Sequence, residues 1–155
     1  MHNFPGKALL RTLVGATLAL IIRTNVRANA PAGRYTISGG TVLDTKTKLT
    51  WQQAVPAATM TWVDATNYCR DLGTTLGGTG WRLPTVKELL SLVDYSQTTN
   101  PLIDSNAFPA TPTNFFWSST QLAGSTTGAW GVQWGSGPGA NLNLMTMPFE
   151  VRCVH

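Results

Sequence analysis

The chain of 155 residues carries 11 Lys and Arg against 7 Asp and Glu, a formal net charge of +4. Four of the basic residues and none of the acidic residues lie before residue 33, so the remainder of the chain carries seven charges of each sign. A neutral domain without a basic stripe argues against binding to nucleic acid or to another polyanion.

The N-terminal segment has the pattern of an export signal. Two basic residues precede an uninterrupted apolar run over residues 12–22. This run is shorter than the roughly 20 residues that span a bilayer and suits the apolar region of a signal peptide. We therefore predict a signal peptide at residues 1–32, a single domain at residues 33–155 and no membrane span after cleavage. The expected location is secreted, periplasmic or at the cell surface, and a retained membrane anchor is the alternative.

The chain contains two cysteines, Cys69 and Cys153. Two cysteines allow a single intrachain pairing, and an oxidising compartment favours a disulfide bond over the alternative of two buried thiols. The bond would close a loop of 84 residues, which in the chain-entropy account stabilises the fold by roughly 4–5 kcal/mol. We predict that it ties an early helix to the end of the chain.

The first predicted elements are three short strands and a helix. Residues 35–44 have the pattern of a hairpin with a Ser38-Gly39-Gly40 turn, and residues 49–52 that of a third strand. Thr61 is the expected N-cap of the first helix, because a carboxylate follows three residues later. Gly73 is the expected stop of that helix.

A second helix has the clearest local signal in the chain. Thr85 followed by Glu88 forms a capping box, and apolar residues recur at positions 86, 89, 90 and 93. Residues 94–114 contain three prolines, and we predict an ordered irregular loop there because Ile103 and Phe108 are available to pack.

The last part of the chain alternates apolar and polar residues. Strands are predicted at residues 115–120, 129–134, 141–145 and 151–154. Early helices combined with strands at both ends predict an α+β fold with an antiparallel sheet.

Several stretches, in their order along the chain, resemble the C-terminal domain family of the Legionella collagen-like adhesin. The most specific is residues 80–89, Gly-Trp-Arg-Leu-Pro-Thr-Val-Lys-Glu-Leu, and it is supported by Trp-Ser-Ser at residues 117–119 and Val-Arg-Cys-Val at residues 151–154. The resemblance extends from about residue 42 to the end of the chain.

The resemblance implies a C-type lectin-like fold, with two helices packed on an antiparallel sheet and the N- and C-terminal strands paired. It also implies a bond from a cysteine of the first helix to the last strand. The adhesin's domain binds sulfated glycosaminoglycans as a trimer. The neutral charge of the predicted domain and the lack of a Gly-x-y tract argue against a direct transfer of that function.

The specific segment has two interpretations. Arg82 could be presented to an acidic ligand, or it could pair internally with a carboxylate such as Glu88 or Glu150. We favour the structural interpretation, because the surrounding residues also have structural uses in a core, a turn and a helix cap. The residues given a structural role are Trp81, Arg82, Pro84, Thr85 and Glu88.

Candidate ligand-binding residues lie in two later regions. Asp94, Asn100 and Asp104 are the candidate ligands of a calcium ion, and no other cofactor is indicated. Trp130 and Trp134 share one face of a strand and are candidate aromatic platforms for a sugar, whereas the four other tryptophans are assigned to the core.

Catalysis has little support in the sequence. A nucleophilic Ser118 or Ser119 would have only His155 as a base outside the leader, and no pair of carboxylates is marked for glycoside hydrolysis. We predict a non-enzymatic binding domain for a glycan or a surface protein, with its binding surface on residues 94–114 and 121–140. A structural module of an envelope complex, a homo-oligomer included, and a carboxylate-dependent hydrolase are the alternatives.

Overall fold

The structure is a computed structural model that describes residues 30–135 and 138–155. The predicted signal peptide covers residues 1–32. Its residues 1–29 lie outside the described residues, so that prediction is not addressed by the structure. Residues 136 and 137 are also outside them. Within the described ranges, no helix is long and apolar enough to cross a membrane.

The first sheet contains β1 (Tyr35–Ser38), β2 (Thr41–Asp44) and β3 (Thr50–Gln52), in that spatial order and antiparallel. Gly39 and Gly40 form the turn of the predicted hairpin with φ values of 54° and 79°, a left-handed backbone that suits glycine. The hairpin and the third strand were both predicted from the sequence.

The last residues of the chain, 149–155, are extended and are called the terminal segment below. Its end pairs with β3 through hydrogen bonds between the main chains of Thr50 and His155 at 2.8 and 2.9 Å. On its other side, Val154 exchanges two main-chain hydrogen bonds with Arg82. The C-terminal strand therefore pairs with the third strand of the chain rather than with the first.

Residues 30–135 and 138–155 contain three short helices rather than the two expected. α1 (Trp62–Asp71) begins at the predicted cap, where the Thr61 hydroxyl accepts a hydrogen bond from the Asp64 N–H. The expected stop before Gly73 is confirmed, since α1 ends at Asp71 with Leu72 as its C-cap. Gly73 then begins an additional short helix, α2 (Gly73–Leu76). A Cβ atom at Gly73 would lie 2.5 Å from the carbonyl oxygen of Gly78, so this glycine permits close packing of two chain segments.

The helix α3 (Val86–Leu90) has the complete capping box that the sequence predicted, with Thr85 and Glu88 bonded reciprocally. It is shorter than its apolar pattern indicated. The N–H groups of Leu92 and Val93 bond three residues back rather than four, which tightens the last turn.

The second sheet contains β4 (Phe116–Gln121), β5 (Gly128–Gln133) and β6 (Gly139–Leu144), again antiparallel and in chain order. The expectation of one antiparallel sheet is therefore corrected to two sheets in the part of the chain that the structure describes. The terminal segment lies between the two sheets and pairs with both. Its Glu150 pairs with Phe116 of β4, and its Val154 pairs with Trp51 of β3.

Two apolar clusters form the core. The first includes Trp51, Phe108 and Trp134, and the second surrounds Cys69 and Cys153. Phe108 is fully buried, and so is Ile103 apart from 1% of its surface. These two side chains attach the irregular 94–114 region to the first cluster, as predicted.

Candidate functional site

The two cysteines form the expected disulfide bond. Cys69 lies in the last turn of α1 and Cys153 lies in the terminal segment, with their Cα atoms 5.4 Å apart. Both residues are completely buried in the second core cluster. The bond therefore fixes α1 to the segment that contacts both sheets.

The segment around Arg82 is occupied by internal contacts. Arg82 donates two hydrogen bonds of 2.8 Å to the carboxylate of Glu88. The bond from Arg82 lowers the pKa of the Glu88 carboxyl, and burial opposes this effect only in part. Glu88 also accepts the Thr85 N–H, and the Trp81 indole donates to a main-chain carbonyl at 2.8 Å. The charge of Arg82 is thus neutralised by Glu88 of the adjacent helix cap. The carbonyl of Pro84 is also used internally, since it accepts a hydrogen bond of 2.7 Å from the N–H of Ser119.

The carboxylates proposed for calcium are used in turns of the 94–114 region. Asp94 accepts hydrogen bonds from the N–H and hydroxyl of Ser96 and from the Gln97 amide. Burial raises the pKa of Asp94, but these hydrogen bonds outweigh it and the net shift is downward. Asp104 accepts the main-chain N–H groups of residues 106 and 107 at 2.9 and 3.1 Å.

Asn100 is exposed and precedes a cis proline. In the part of the chain that the structure describes, no group of three or more His, Cys, Asp or Glu side chains is arranged to hold a metal ion. Asp94, Asn100 and Asp104 share a loop region, but no contact in the structure joins their side chains.

The two candidate tryptophans occupy different environments. Trp134 is completely buried, with its ring centroid 4.4 Å from that of Phe116, so it cannot stack on a ligand. The prediction of a binding role for Trp134 is therefore wrong. Its strand end is covered by the 94–114 region, since the Leu102 N–H donates to the Trp134 carbonyl at 2.7 Å. Trp130 is half-buried and lies opposite Leu142 of β6.

A shallow groove of about 380 Å³ lies where residues 113–115, just before β4, meet the end of β5 and residues 148–149. We call it the Phe115–Phe149 groove after its two aromatic residues. The centroids of these rings are 5.5 Å apart and the planes are inclined at 43°. The remaining lining residues are all uncharged: Thr59, Thr113, Asn114, Gln133 and Pro148.

The floor of the groove is held from several directions. Phe149 exchanges two main-chain hydrogen bonds with Met60, and its ring packs 4.7 Å from that of Trp117. Asn114 donates its side-chain amide to the buried carboxylate of Glu150 at 3.1 Å. Phe149 and the Asn114 amide are therefore held in place by contacts within the protein.

The sequence patterns did not single out this groove. The alternation of a strand offered one signal: Phe115 and Phe116 are adjacent, so if one side chain enters the core the other faces away from it. Phe116 is completely buried, and Phe115 is half-buried in the groove. Phe149 and Asn114 had no comparable signal, because their juxtaposition depends on the terminal segment crossing β4.

Most of the chain matches one known protein family. The profile of the Lcl C-terminal domain matches residues 40–155, from the turn of the first hairpin to the end of the chain. The chain belongs to the Lcl C-terminal domain family. This is the adhesin-associated family indicated by the sequence motifs. A search of the curated proteins gives no match.

Within this Lcl C-terminal domain, Arg152 has an unexpected environment. It is completely buried, and its guanidinium donates to the main-chain carbonyls of Gln52 and Gln53 and to the Thr111 hydroxyl, at 2.7–3.0 Å. The guanidinium carbon lies 4.6 Å from the centroid of the Phe108 ring. No ion pair joins Arg152 to a carboxylate among the described residues.

Burial of this guanidinium lowers the pKa of Arg152 to about 9, so it stays charged at neutral pH. Cation–π contact and the three acceptors replace a counter-ion. Arg152 thereby connects β3, the 94–114 region and the terminal segment, and it has no access to an external ligand. The sequence signal for it is a single charge within the apolar segment Val-Arg-Cys-Val.

Proposed function

We propose that this Lcl C-terminal domain is a non-enzymatic binding domain of a secreted or envelope-associated protein, and that its ligand is a glycan. The observation that carries the proposal is the Phe115–Phe149 groove. It joins two aromatic rings with amide and hydroxyl side chains in a concave surface, the mixture of apolar area and few polar groups that small-ligand sites use.

The position of the groove supports the same proposal. Thr113 and Asn114 belong to the 94–114 region, and Gln133 belongs to the 121–140 region. These are the two regions expected from the sequence to carry recognition, while the paired strands carry the scaffold. The buried disulfide is compatible with an oxidising location outside the cytoplasm. We also retain the C-type lectin-like classification of the fold as a proposal.

The absence of an enzymatic role is part of the proposal. Ser118 is buried and its hydroxyl donates to the Trp130 carbonyl at 2.6 Å. The His155 ring packs on Trp81, with centroids 4.4 Å apart. These contacts give both residues structural uses. A turnover assay on chromogenic glycosides tests the hydrolase alternative, and sustained product release would contradict the proposal.

A glycan array probed with the purified protein tests the main proposal. Calcium and a chelator are compared in parallel, because Asp94, Asn100 and Asp104 were the candidate calcium ligands. We expect saturable binding to a defined class of glycan. A folded protein that binds no glycan on a broad array would contradict the proposal.

The edge strand β6 supports a second candidate function, a structural module of an envelope assembly. β6 pairs only with β5 among the described strands, and its Leu142 and Leu144 are 44% and 59% exposed. An exposed apolar edge strand is suited to pairing with another protein chain. Replacing both leucines by threonine would abolish capture of such a partner and leave glycan binding unchanged.

A further inference from the structure

Building on the proposed glycan-binding function, we propose that the Phe115–Phe149 groove binds one uncharged pyranose unit and discriminates against sulfated or carboxylated sugars. The argument depends on the charge of the groove, the arrangement of its two rings and the fixed orientation of Asn114.

The groove offers no cation to an anionic ligand. None of its lining residues carries a charge. One lining residue, Asn114, is hydrogen-bonded to the carboxylate of Glu150, and this group would repel an anion. An anionic sugar would lose hydration without gaining an opposite charge, which is unfavourable. The described arginines do not compensate, because none of them lines the groove. Arg34, Arg70 and Arg82 pair with carboxylates, and Arg152 is buried.

The two phenylalanines supply the apolar part of the site. A pyranose ring has a face of C–H groups that packs against the flat face of an aromatic ring, a contact in which aromatic side chains bury large apolar area. Phe115 and Phe149 are inclined at 43° to each other, and both are only partly buried, so part of each ring is accessible. A volume of about 380 Å³ lies near the lower end of the roughly 300–1,000 Å³ found for small-ligand sites, which suits one sugar ring.

Asn114 supplies orientation. Its amide group has two N–H donors and one carbonyl acceptor, and one donor is directed to the carboxylate of Glu150 at 3.1 Å. This bond fixes which side of the amide faces the carboxylate. The second N–H and the carbonyl then form a donor–acceptor pair for neighbouring sugar hydroxyls, at no further conformational cost.

The test is a titration followed by nitrogen–proton NMR of the whole protein. The probes are the methyl glycosides of glucose, galactose, mannose and N-acetylglucosamine, with a sulfated glycosaminoglycan as the anionic comparison. We expect saturable shifts of the side-chain amide signals of Asn114 and Gln133 with at least one neutral glycoside. The shifts should persist at about 1 M salt, where the Debye length is only about 3 Å.

Two variants locate the binding site. Phe115→Ala removes one ring and Asn114→Ala removes the oriented amide. Each variant should bind the glycoside that the native protein binds with an affinity about tenfold lower, or lower still. The matched controls are Tyr95→Ala, an exposed aromatic outside the groove, and Asn67→Ala, an exposed asparagine of α1. Both controls should bind as the native protein does. If Phe115→Ala fails to fold, Asn114→Ala still decides.

The possible results separate this inference from the function on which it rests. Salt-sensitive binding of the sulfated probe alone would overturn the inference and leave a glycan-binding function intact. Binding of a neutral glycoside that neither variant weakens would overturn the assignment to this groove. Failure of every glycan, neutral or charged, with a folded protein would overturn both the inference and the proposed function.

Discussion

Arg152 is bound by main-chain and hydroxyl oxygens rather than by a carboxylate, so the effect of replacing it depends on both its charge and its shape. Arg152→Lys keeps the charge buried but cannot reproduce the planar fork that reaches Gln52, Gln53 and Thr111. We predict a loss of about 2–4 kcal/mol in the free energy of unfolding, from acceptors left without a donor. Urea-induced unfolding measures it.

The comparison with Arg152→Met separates the two contributions. Methionine removes the buried charge and keeps most of the volume, so it should destabilise less than lysine, which keeps a poorly bound charge in the core. Lys87→Met is the matched control, because Lys87 is an exposed cation of α3, and its change should stay within about 0.5 kcal/mol. A lysine variant as stable as the native protein would refute this account of Arg152.

Asp44 makes the stability of the first sheet dependent on pH. Burial raises the pKa of its carboxyl, but hydrogen bonds from Arg34 and the Lys46 N–H outweigh burial and the net shift is downward. A carboxyl whose pKa is lower in the folded than in the unfolded state, where it is about 3.9, stabilises the fold above that value. This stabilisation is lost as the pH falls through the folded-state pKa.

We therefore predict that Asp44→Asn reduces the free energy of unfolding by about 1–3 kcal/mol at neutral pH, and that the difference from the native protein narrows below about pH 4. Urea unfolding at a series of pH values measures this difference. Asp71→Asn is the control, because Asp71 is exposed in its pair with Arg70. A difference that stays constant across the series would exclude the pH dependence assigned to Asp44.

The first residue of α2, Gly73, is a helical glycine at which close packing should reverse the usual effect of a substitution by alanine. Alanine in place of a helical glycine ordinarily stabilises by roughly 0.5–1 kcal/mol. At Gly73 the new Cβ would lie 2.5 Å from the Gly78 carbonyl oxygen, and relief of such overpacking typically costs about 1–3 kcal/mol. We predict that Gly73→Ala lowers the thermal midpoint. At Gly135 an added Cβ would make only ordinary van der Waals contacts, with the carbonyl oxygen and Cβ of Thr113 at 3.5 and 3.8 Å, so Gly135→Ala should leave the midpoint nearly unchanged. Equal midpoints for the two variants would contradict the steric account.

The elements that were predicted well have signals within a few residues. The capping box of α3 joins Thr85 to Glu88, and the first hairpin closes across Gly39 and Gly40. The features that were missed depend on contacts far along the chain. The short helix α2 that begins at Gly73 has no sequence signal, because the packing of Gly73 against Gly78 is not a pattern of residue types. The burial of Trp134 has none either, because the loop that covers it is irregular.

The terminal segment joins the parts of the whole molecule. Its Glu150 pairs with β4, its Val154 lies between β3 and Arg82, and its Cys153 is bonded to α1. The family and the order of the elements could be predicted from the sequence, because the motifs recur in a fixed order. The division into two sheets could not be predicted, since it depends on the terminal segment pairing with β4 at Glu150 and with β3 at Val154. The groove could not be predicted either, because it forms where the start of this segment meets the residues before β4.

The disulfide that joins α1 to the terminal segment stabilises the whole molecule. We predict that the Cys69→Ser, Cys153→Ser double variant unfolds with a free energy up to about 4–5 kcal/mol lower, as expected for a closed loop of 84 residues. Since the bond restricts mainly the unfolded chain, the native protein under reducing agent should unfold at the same urea midpoint as the variant. The variant, which has no thiols, should not respond to reducing agent. Native protein whose midpoint is unchanged by reduction would contradict the stabilisation assigned to the disulfide.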